Sequence, residues 1–393
     1  VAGPAAVKPA APLTLLGLGR ASGCLARSDL KEPSAARETY AARVRGVTAR
    51  QGGLIVEDLA EPSPAEGDAL VALRACGICG SDLHTLAHAA SLASVAEAMG
   101  LPEAFRPDDD YYLGHEWVAE VLELGPGADH EGVSVGDRVV SVPYLVRPET
   151  LVPLGFSNDF YAGYCERFLL TAALCRRVPN GLDDAHAALT EPLAVALHAV
   201  EASGIGPGDS ALIVGSGPIG LALLACLAAR QVEPIVVADY SAPRRAQAAA
   251  LGAHVVHDPA VGSPVDAWRE AAGARPLVVF EAVGVPGVLD ELLATVPPQT
   301  QIVVAGVCMQ PDTIRPLLAI VKELRLQFVY AYREDEFDAA LHALAEGELD
   351  VGPLVTGRVG FDGVADAFAA LRRADEHLKI LVEPDGPADL TVR

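Results

Sequence analysis

Gly215-Ser216-Gly217-Pro218-Ile219-Gly220 follows directly on the apolar run Ser210-Ala211-Leu212-Ile213-Val214. The run reads as a buried strand, and Ile219 to Arg230 as the helix behind it. Between them the three glycines have separate duties. Gly215 permits a tight turn, Gly217 lets the backbone approach a pyrophosphate, and Gly220 lets helix and strand pack closely. Amides at the helix start, around Pro218 and Ile219, then face the phosphates. Strand Ile235 to Ala238 ends on Asp239, about twenty residues past the glycines, where a ribose-binding acid belongs. A G-x-G-x-x-G alone says little; with this strand before it and this acid after it, it marks a dinucleotide-binding unit. Apolar runs continue at Leu277 to Phe280, Gln301 to Gly306 and Leu326 to Tyr330. Strands alternating with helices predict an α/β fold with a doubly wound parallel sheet.

Upstream lies a denser stretch, Cys76-Gly77-Ile78-Cys79-Gly80-Ser81-Asp82-Leu83-His84. Thiolate and imidazole are good zinc ligands, and a carboxylate can orient a ligating histidine through its second ring nitrogen. Gly114-His115-Glu116 offers another imidazole, and Glu191-Pro192-Leu193 a further donor. A C-x-x-C alone equally describes a redox pair, half of a structural zinc site or two core thiols. Around it the pattern is of short strands. Arg45 to Ala49, Leu54 to Leu59 and Ala69 to Ala75 are separated by turn residues, which suggests a small barrel. Between Thr85 and Asp110, Leu92, Val95, Ala96 and Met99 recur at helical spacing and predict one short amphipathic helix. That helix reads either as a surface helix packed on the barrel or as a lid over a cleft. His84 and His88 lie four apart, too few donors for a second metal. Val1 to Arg43 is rich in Ala and Pro and has no sustained period. It reads as a disordered extension, or as residues upstream of a true start near Val44, better than as an export signal.

In this order the motifs resemble the zinc-dependent medium-chain dehydrogenase/reductase family, the group of alcohol, sorbitol and threonine dehydrogenases. The resemblance runs from about Val44 to Pro384. It rests on the Cys76–His84 run, Gly114-His115-Glu116, Gly136-Asp137-Arg138-Val139, Glu191-Pro192-Leu193 and the glycine fingerprint. It implies a GroES-like β-barrel catalytic domain, residues 44–191 and 334–393, and a Rossmann cofactor domain, residues 192–333. It implies Cys79, His115 and a third group as ligands of a catalytic zinc, with Cys76 standing at a position that does not bind metal. Glu191 occupies the place of the usual third ligand, and Glu116 is its rival or exchanging partner. Asp82 matches the carboxylate that steadies the zinc histidine, and Ser81 and His84 match a relay for the hydroxyl proton. Asp239 favours NAD over NADP by repelling a 2'-phosphate. Arg244 matches a basic position lining the adenosine site, though it reads as well as a solvated helix charge. Val283 and Gly284 resemble backbone positions near the nicotinamide. Family members often carry a four-cysteine zinc lobe before the position of Cys165. With no cysteine between Cys79 and Cys165, one zinc and no structural zinc is the expectation.

The implied reaction is hydride transfer between NAD and an alcohol or polyol, or the matching carbonyl. Two other readings are a zinc-free quinone-type reductase, which would lack the Cys and His ligands, and a non-catalytic NAD-binding relative. The bulk numbers agree with a small-molecule enzyme. The chain has 393 residues, enough for two domains, with 52 acidic against 29 basic side chains and a formal charge of -23. Such an excess repels phosphate backbones and anionic lipid, arguing against nucleic acid and membrane partners. Seven scattered cysteines suit a reducing cytoplasm better than a disulfide framework. By resemblance, a homodimer or homotetramer is expected.

Overall fold

The computed structural model of the chain describes residues 42–392 apart from 102, 131 and 374. The reading of Val1 to Arg43 therefore falls, up to residue 41, outside the described residues. The first half runs β1 (Arg43–Arg50), β2 (Gly53–Ala60), β3 (Asp68–Gly77), α1 (Gly80–Ala98), β4 (Glu116–Leu124), β5 (Arg138–Ser141), β6 (Tyr144–Arg147), β7 (Thr150–Pro153), β8 (Arg167–Thr171) and β9 (Cys175–Arg177). Helices α2 (Asp184–Ala187) and α3 (Thr190–Ser203) lead out of it. Then come β10 (Ser210–Val214), α4 (Pro218–Ala229), β11 (Ile235–Ala238), α5 (Ala242–Ala250), β12 (Val255–His257), α6 (Pro264–Ala272), β13 (Leu277–Glu281), α7 (Val288–Thr295), β14 (Gln301–Val304), α8 (Pro316–Lys322) and β15 (Arg325–Phe328). The chain returns through α9 (Glu334–Ala345), β16 (Val355–Val359), α10 (Val364–Leu371), β17 (Lys379–Val382) and β18 (Thr391–Val392).

Strands β10 to β15 form a six-stranded sheet in the order β12-β11-β10-β13-β14-β15, every pair parallel. Parallel strands with helices on both faces must be apolar on both faces. Ile235-Val-Val-Ala238 and Leu277-Val-Val-Phe280 meet that demand, and all eight side chains are buried. Helix α4 is apolar on every side for a related reason: it is sandwiched, and Leu221, Leu223, Leu224 and Leu227 are all fully buried.

The other sheet has eight strands, ordered β18-β16-β17-β3-β4-β5-β9 with β8 also on β3, and among the described residues that ladder does not close on itself. β3 is its axis. It pairs with β4 over nearly its whole length, with β8 at its start, and with β17 at Cys76 and Gly77. The last pairing carries the C-terminal return to the edge of the cysteine run. A core around Tyr164, Trp117 and Phe168 fills the space beneath.

Two local features differ from, or add to, the sequence reading. The helix expected around Leu92 to Met99 begins at Gly80, directly after Cys79, and bends at His88, whose φ of -136° is not helical. Its far half is not the packed amphipathic element the spacing suggests: Leu92 and Ala93 touch the core, whereas Val95 and Met99 are exposed. Where the resemblance led to a comparison with a zinc lobe, β6 and β7 form a short antiparallel hairpin. Arg147 at its tip fastens it. Its guanidinium donates to both carboxylate oxygens of Asp68 at 2.7 and 3.0 Å and lies over the Phe160 ring at 5.1 Å. Asp68 is buried, so removing Arg147 strands a charge. Arg147→Ala is expected to cost on the order of 3 kcal/mol, read as a lowered midpoint of urea unfolding, while Arg147→Lys keeps part of that stability.

Candidate metal centre and dinucleotide site

β3 delivers Cys76 and Cys79 to very different surroundings. Cys76 is fully buried within the strand, and burial pushes its thiol well above 9.0, so it stays protonated. Cys79 sits just ahead of α1 and is part-exposed. Its sulfur lies within 4.8 Å of ligand atoms of His115 and Glu116, the one such metal-ligand grouping among the described residues. Sequence position alone separates the two cysteines by three residues; the strand end separates them by environment.

Asp82 organises the centre. Its carboxylate accepts from the amide of Cys79 at 2.9 Å, the amide of Gly114 at 3.3 Å and the hydroxyl of Tyr164 at 2.6 Å. The same carboxylate stands 3.4 Å from Nδ1 of His115. Burial alone would raise the Asp82 pKa, but the charge of His115 and these donors bring it below 3.8. Conversely, burial would lower His115, and Asp82 and Cys79 together raise it well above 6.5. A cation at Nε2 must compete with that proton. Phe156 lies across the imidazole, ring centroids 5.2 Å apart. The Ser81 hydroxyl is 3.5 Å from Nε2 of His115. His84, one turn along α1, is half-buried, and burial followed by the neighbouring His88 lowers its pKa below 6.5.

The two carboxylates are placed differently. Glu116 is fully buried, and both its oxygens accept from Nζ of Lys379, at 2.7 and 2.6 Å. Glu191, in the first turn of α3, lies outside the 4.8 Å grouping. Burial pushes its carboxyl up to about 7, opposed by His115 and reinforced by Glu116. Tyr332 is buried beside it, and burial together with Glu191 pushes its phenol up. Lys379, Tyr164 and Tyr332 were all missed from sequence. Lys379 alone left a trace there, as a lone charge in the apolar run Leu378-Lys379-Ile380-Leu381-Val382.

In the parallel sheet the fingerprint forms the β10–α4 turn. Gly215 has φ +95°, and a Cβ on Gly220 would lie 1.9 Å from the Gly215 carbonyl oxygen, so both positions demand glycine for reasons inside the protein. Gly217 does not. A Cβ there would meet nothing nearer than the Arg244 guanidinium at 3.8 Å, so it opens onto free space at the head of α4, beside Pro218 and Ile219. Asp239 ends β11, its oxygens accepting from the amides of Ser216 and Ser241, both at 2.8 Å. The Ser216 hydroxyl and Arg244 Nε are buried there without partners. At the end of β13, buried Glu281 accepts from the amides of Val283 and Gly284 at 2.7 and 2.9 Å and so shapes that loop.

Residues 65–180 match the alcohol dehydrogenase GroES-like domain, and residues 218–346 the zinc-binding dehydrogenase domain. The chain is 31% identical over 345 residues to (R,R)-butanediol dehydrogenase of Bacillus subtilis, a match spanning 85% of this chain and 98% of that protein. It belongs to the zinc-dependent medium-chain dehydrogenase family. Human sorbitol dehydrogenase is 28% identical over 353 residues, covering 86% of this chain and 94% of that protein. The crystal structure of the Bacillus subtilis 2R,3R-butanediol dehydrogenase superposes with a TM-score of 0.73 at 30% identity, over 87% of this chain and all of the other. Cys79, His115 and Glu116 bring together a thiolate, an imidazole and a carboxylate, donor types that fit zinc. Cys79→Ser is expected to lose bound metal on dialysis and Cys76→Ser to keep it, checked by elemental analysis of both variants.

Proposed function

We propose that the chain is an NAD-dependent zinc dehydrogenase that interconverts an alcohol or polyol with its carbonyl. The observation that carries this reading is the gathering of Cys79, His115 and Glu116 ligand atoms within 4.8 Å, in a chain whose other sheet carries a dinucleotide turn. When bound, zinc supplies Lewis acidity to the substrate oxygen and NAD accepts the hydride. Cys79, His115 and Glu191 would hold one zinc per chain, with Glu116 beside them and Asp82 fixing the His115 ring. Ser81, whose Oγ lies 3.5 Å from His115 Nε2, would accept the hydroxyl proton while passing on its own, and His84 would carry a proton on to solvent.

Gly215, Gly217, Pro218, Ile219 and Gly220 would hold the dinucleotide, the space that a Cβ on Gly217 would fill being left open for its pyrophosphate. Asp239 would take the ribose hydroxyls and disfavour NADP, Arg244 would line the adenosine, and Val283 and Gly284 would border the nicotinamide. The division into a GroES-like barrel of residues 44–191 and 334–393 and a cofactor domain of residues 192–333 is supported by β17 returning to β3. The chain works as a homodimer or homotetramer. Support comes from β15, at the edge of its sheet, where Phe328 and Tyr330 are exposed near Leu317, Ile320 and Val321 of the α8 region. No helix among the described residues is long and apolar enough to cross a membrane. The six described cysteines are all free, which suits a reducing cytoplasm.

The test is reduction of NAD, and separately of NADP, against a panel of alcohols, polyols, hydroxyamino acids and aldehydes, with and without a chelator. Chelator-sensitive NADH formation from a diol or polyol is expected. Turnover that survives complete metal removal would favour the zinc-free reductase, and tight NADH binding with no substrate the non-catalytic relative. The relay has its own signature. Since the His84 shift is downward, its neutral, proton-accepting form persists below pH 6.5. The acidic limb of kcat/KM is therefore expected below that pH. His84→Gln should remove the limb and slow turnover roughly 10- to 100-fold at pH 7, with partial recovery in concentrated small buffer bases.

A further inference from the structure

Residues 85–110 read from sequence either as a surface helix or as a lid, and the two ends of that stretch answer differently. The far half of α1 is loosely seated, with Val95, Met99 and Leu101 exposed. The stretch is fastened where it ends. Phe105 is buried and meets the Tyr111 ring edge-on, centroids 5.1 Å apart. The Arg50 guanidinium grips both oxygens of Asp110, at 2.7 and 2.6 Å. Asn158 adds a hold from the other side. Its Oδ1 accepts from the amide of Arg106, and its Nδ2 donates to the carbonyls of Arg106 and Asp110, all at 2.9 Å. One side-chain amide thus uses its oxygen and both its protons on the backbone of segment 106–110. The Arg106–Asp159 ion pair alongside is exposed and contributes little.

Asn158 belongs to the loop that carries Phe156, and the Phe156 ring lies across the imidazole of His115. Phe156 is half-buried, so part of its surface stays open beside the metal centre. The loop is shaped from within, the Ser157 hydroxyl accepting from the amides of Asp159 and Phe160, both at 3.1 Å. It is also joined to the segment that leads into His115, the amide of Tyr112 donating to the Ser157 carbonyl at 2.9 Å. At Gly155, with φ +90°, a Cβ would lie 3.0 Å from the Gly114 carbonyl oxygen and from the His115 Cβ. The loop backbone is therefore already seated against the residue that bears the imidazole. Asn158 ties its other side to the end of the 85–110 stretch, and the place of the Phe156 ring follows from these two contacts.

Resting on the dehydrogenase reading above, we propose that Asn158 is a positioning residue for substrate size. By pinning segment 106–110 to the Phe156 loop, it sets how far the Phe156 ring stands from the metal centre, and so how long an alcohol the site accepts. Phe156 touches the carbon chain of the substrate; Asn158 does not. The end of the 85–110 stretch is then a brace for the wall of the cleft, not a cover over it.

The probes are the straight-chain primary alcohols from ethanol to octanol, assayed with NAD on the full chain. Where a member is not turned over, its Ki against the best alcohol of the panel above takes the place of KM. Asn158→Ala is expected to raise KM for the short members, which lose the ring, and to lower it for the long ones. The long-to-short ratio of kcat/KM should move at least about tenfold. Asn158→Asp keeps the acceptor for the Arg106 amide but loses both donations; it should move the ratio the same way, and it serves if Asn158→Ala fails to fold. Phe156→Ala should move the ratio further, and adding Asn158→Ala to it should change little more, because both act through one ring. Hydrogen exchange at the Arg106 amide should quicken in Asn158→Ala and stay slow in Asn158→Asp. Equal changes along the whole series overturn the proposal, as do additive effects in the double variant or unchanged exchange at Arg106 in Asn158→Ala. A native chain that reduces NAD with no alcohol of the panel overturns the dehydrogenase reading itself, whereas a working enzyme with a flat series overturns this proposal alone.

Discussion

The buried carboxylate of Asp82 is the knot on which the catalytic half depends. It accepts from the amides of Cys79 and Gly114 and the hydroxyl of Tyr164, and it faces His115. Those groups come from the start of α1, the loop before β4 and the turn before β8, which meet where the β3–β4 ladder ends at Gly77 and Glu116 and the Gly163 amide donates to the Gly114 carbonyl at 3.0 Å. One acidic side chain with no exposed surface ties all three together around the thiol and imidazole donors. A neutral amide could make some of these contacts, but it would supply neither the charge that sustains His115 basicity nor the strength of charge-assisted bonds.

Around that knot the chain handles buried charge by pairing. Glu116 has Lys379, Asp68 has Arg147, and Glu281 spends its carboxylate on two backbone amides. Glu191 is the exception. Burial pushes its carboxyl up to about 7, with His115 and Lys379 opposing that rise and Glu116 adding to it.

The sequence made the locally determined features legible. Gly215 and Gly220 answer to a positive φ and to a carbonyl 1.9 Å from a would-be Cβ, constraints set within six residues. The parallel strands announced themselves as Val- and Ile-rich runs because both their faces are covered. Features set by distant partners stayed hidden. The helix onset at Gly80 was obscured because Gly-Ser-Asp reads as a turn, and the Asp82 cap that starts the helix also serves Tyr164, far along the chain. Lys379 and Glu116 are 263 residues apart, beyond any local pattern. Tyr332 reaches Glu191 only because α9 packs on α3, which the period of neither helix specifies.

That separation has a consequence for how the protein comes into being. β3, α1 and β4 leave the ribosome early, with Cys79, His115 and Glu116 already in sequence order. The strand that covers Gly77 and neutralises Glu116 is made only after the entire parallel sheet. Domains tend to fold as they emerge, so the growing chain spends most of its synthesis with a carboxylate facing an unfinished wall. The buried seat of Glu116 is closed only when β17 docks, so it is among the last parts of the described fold to be completed.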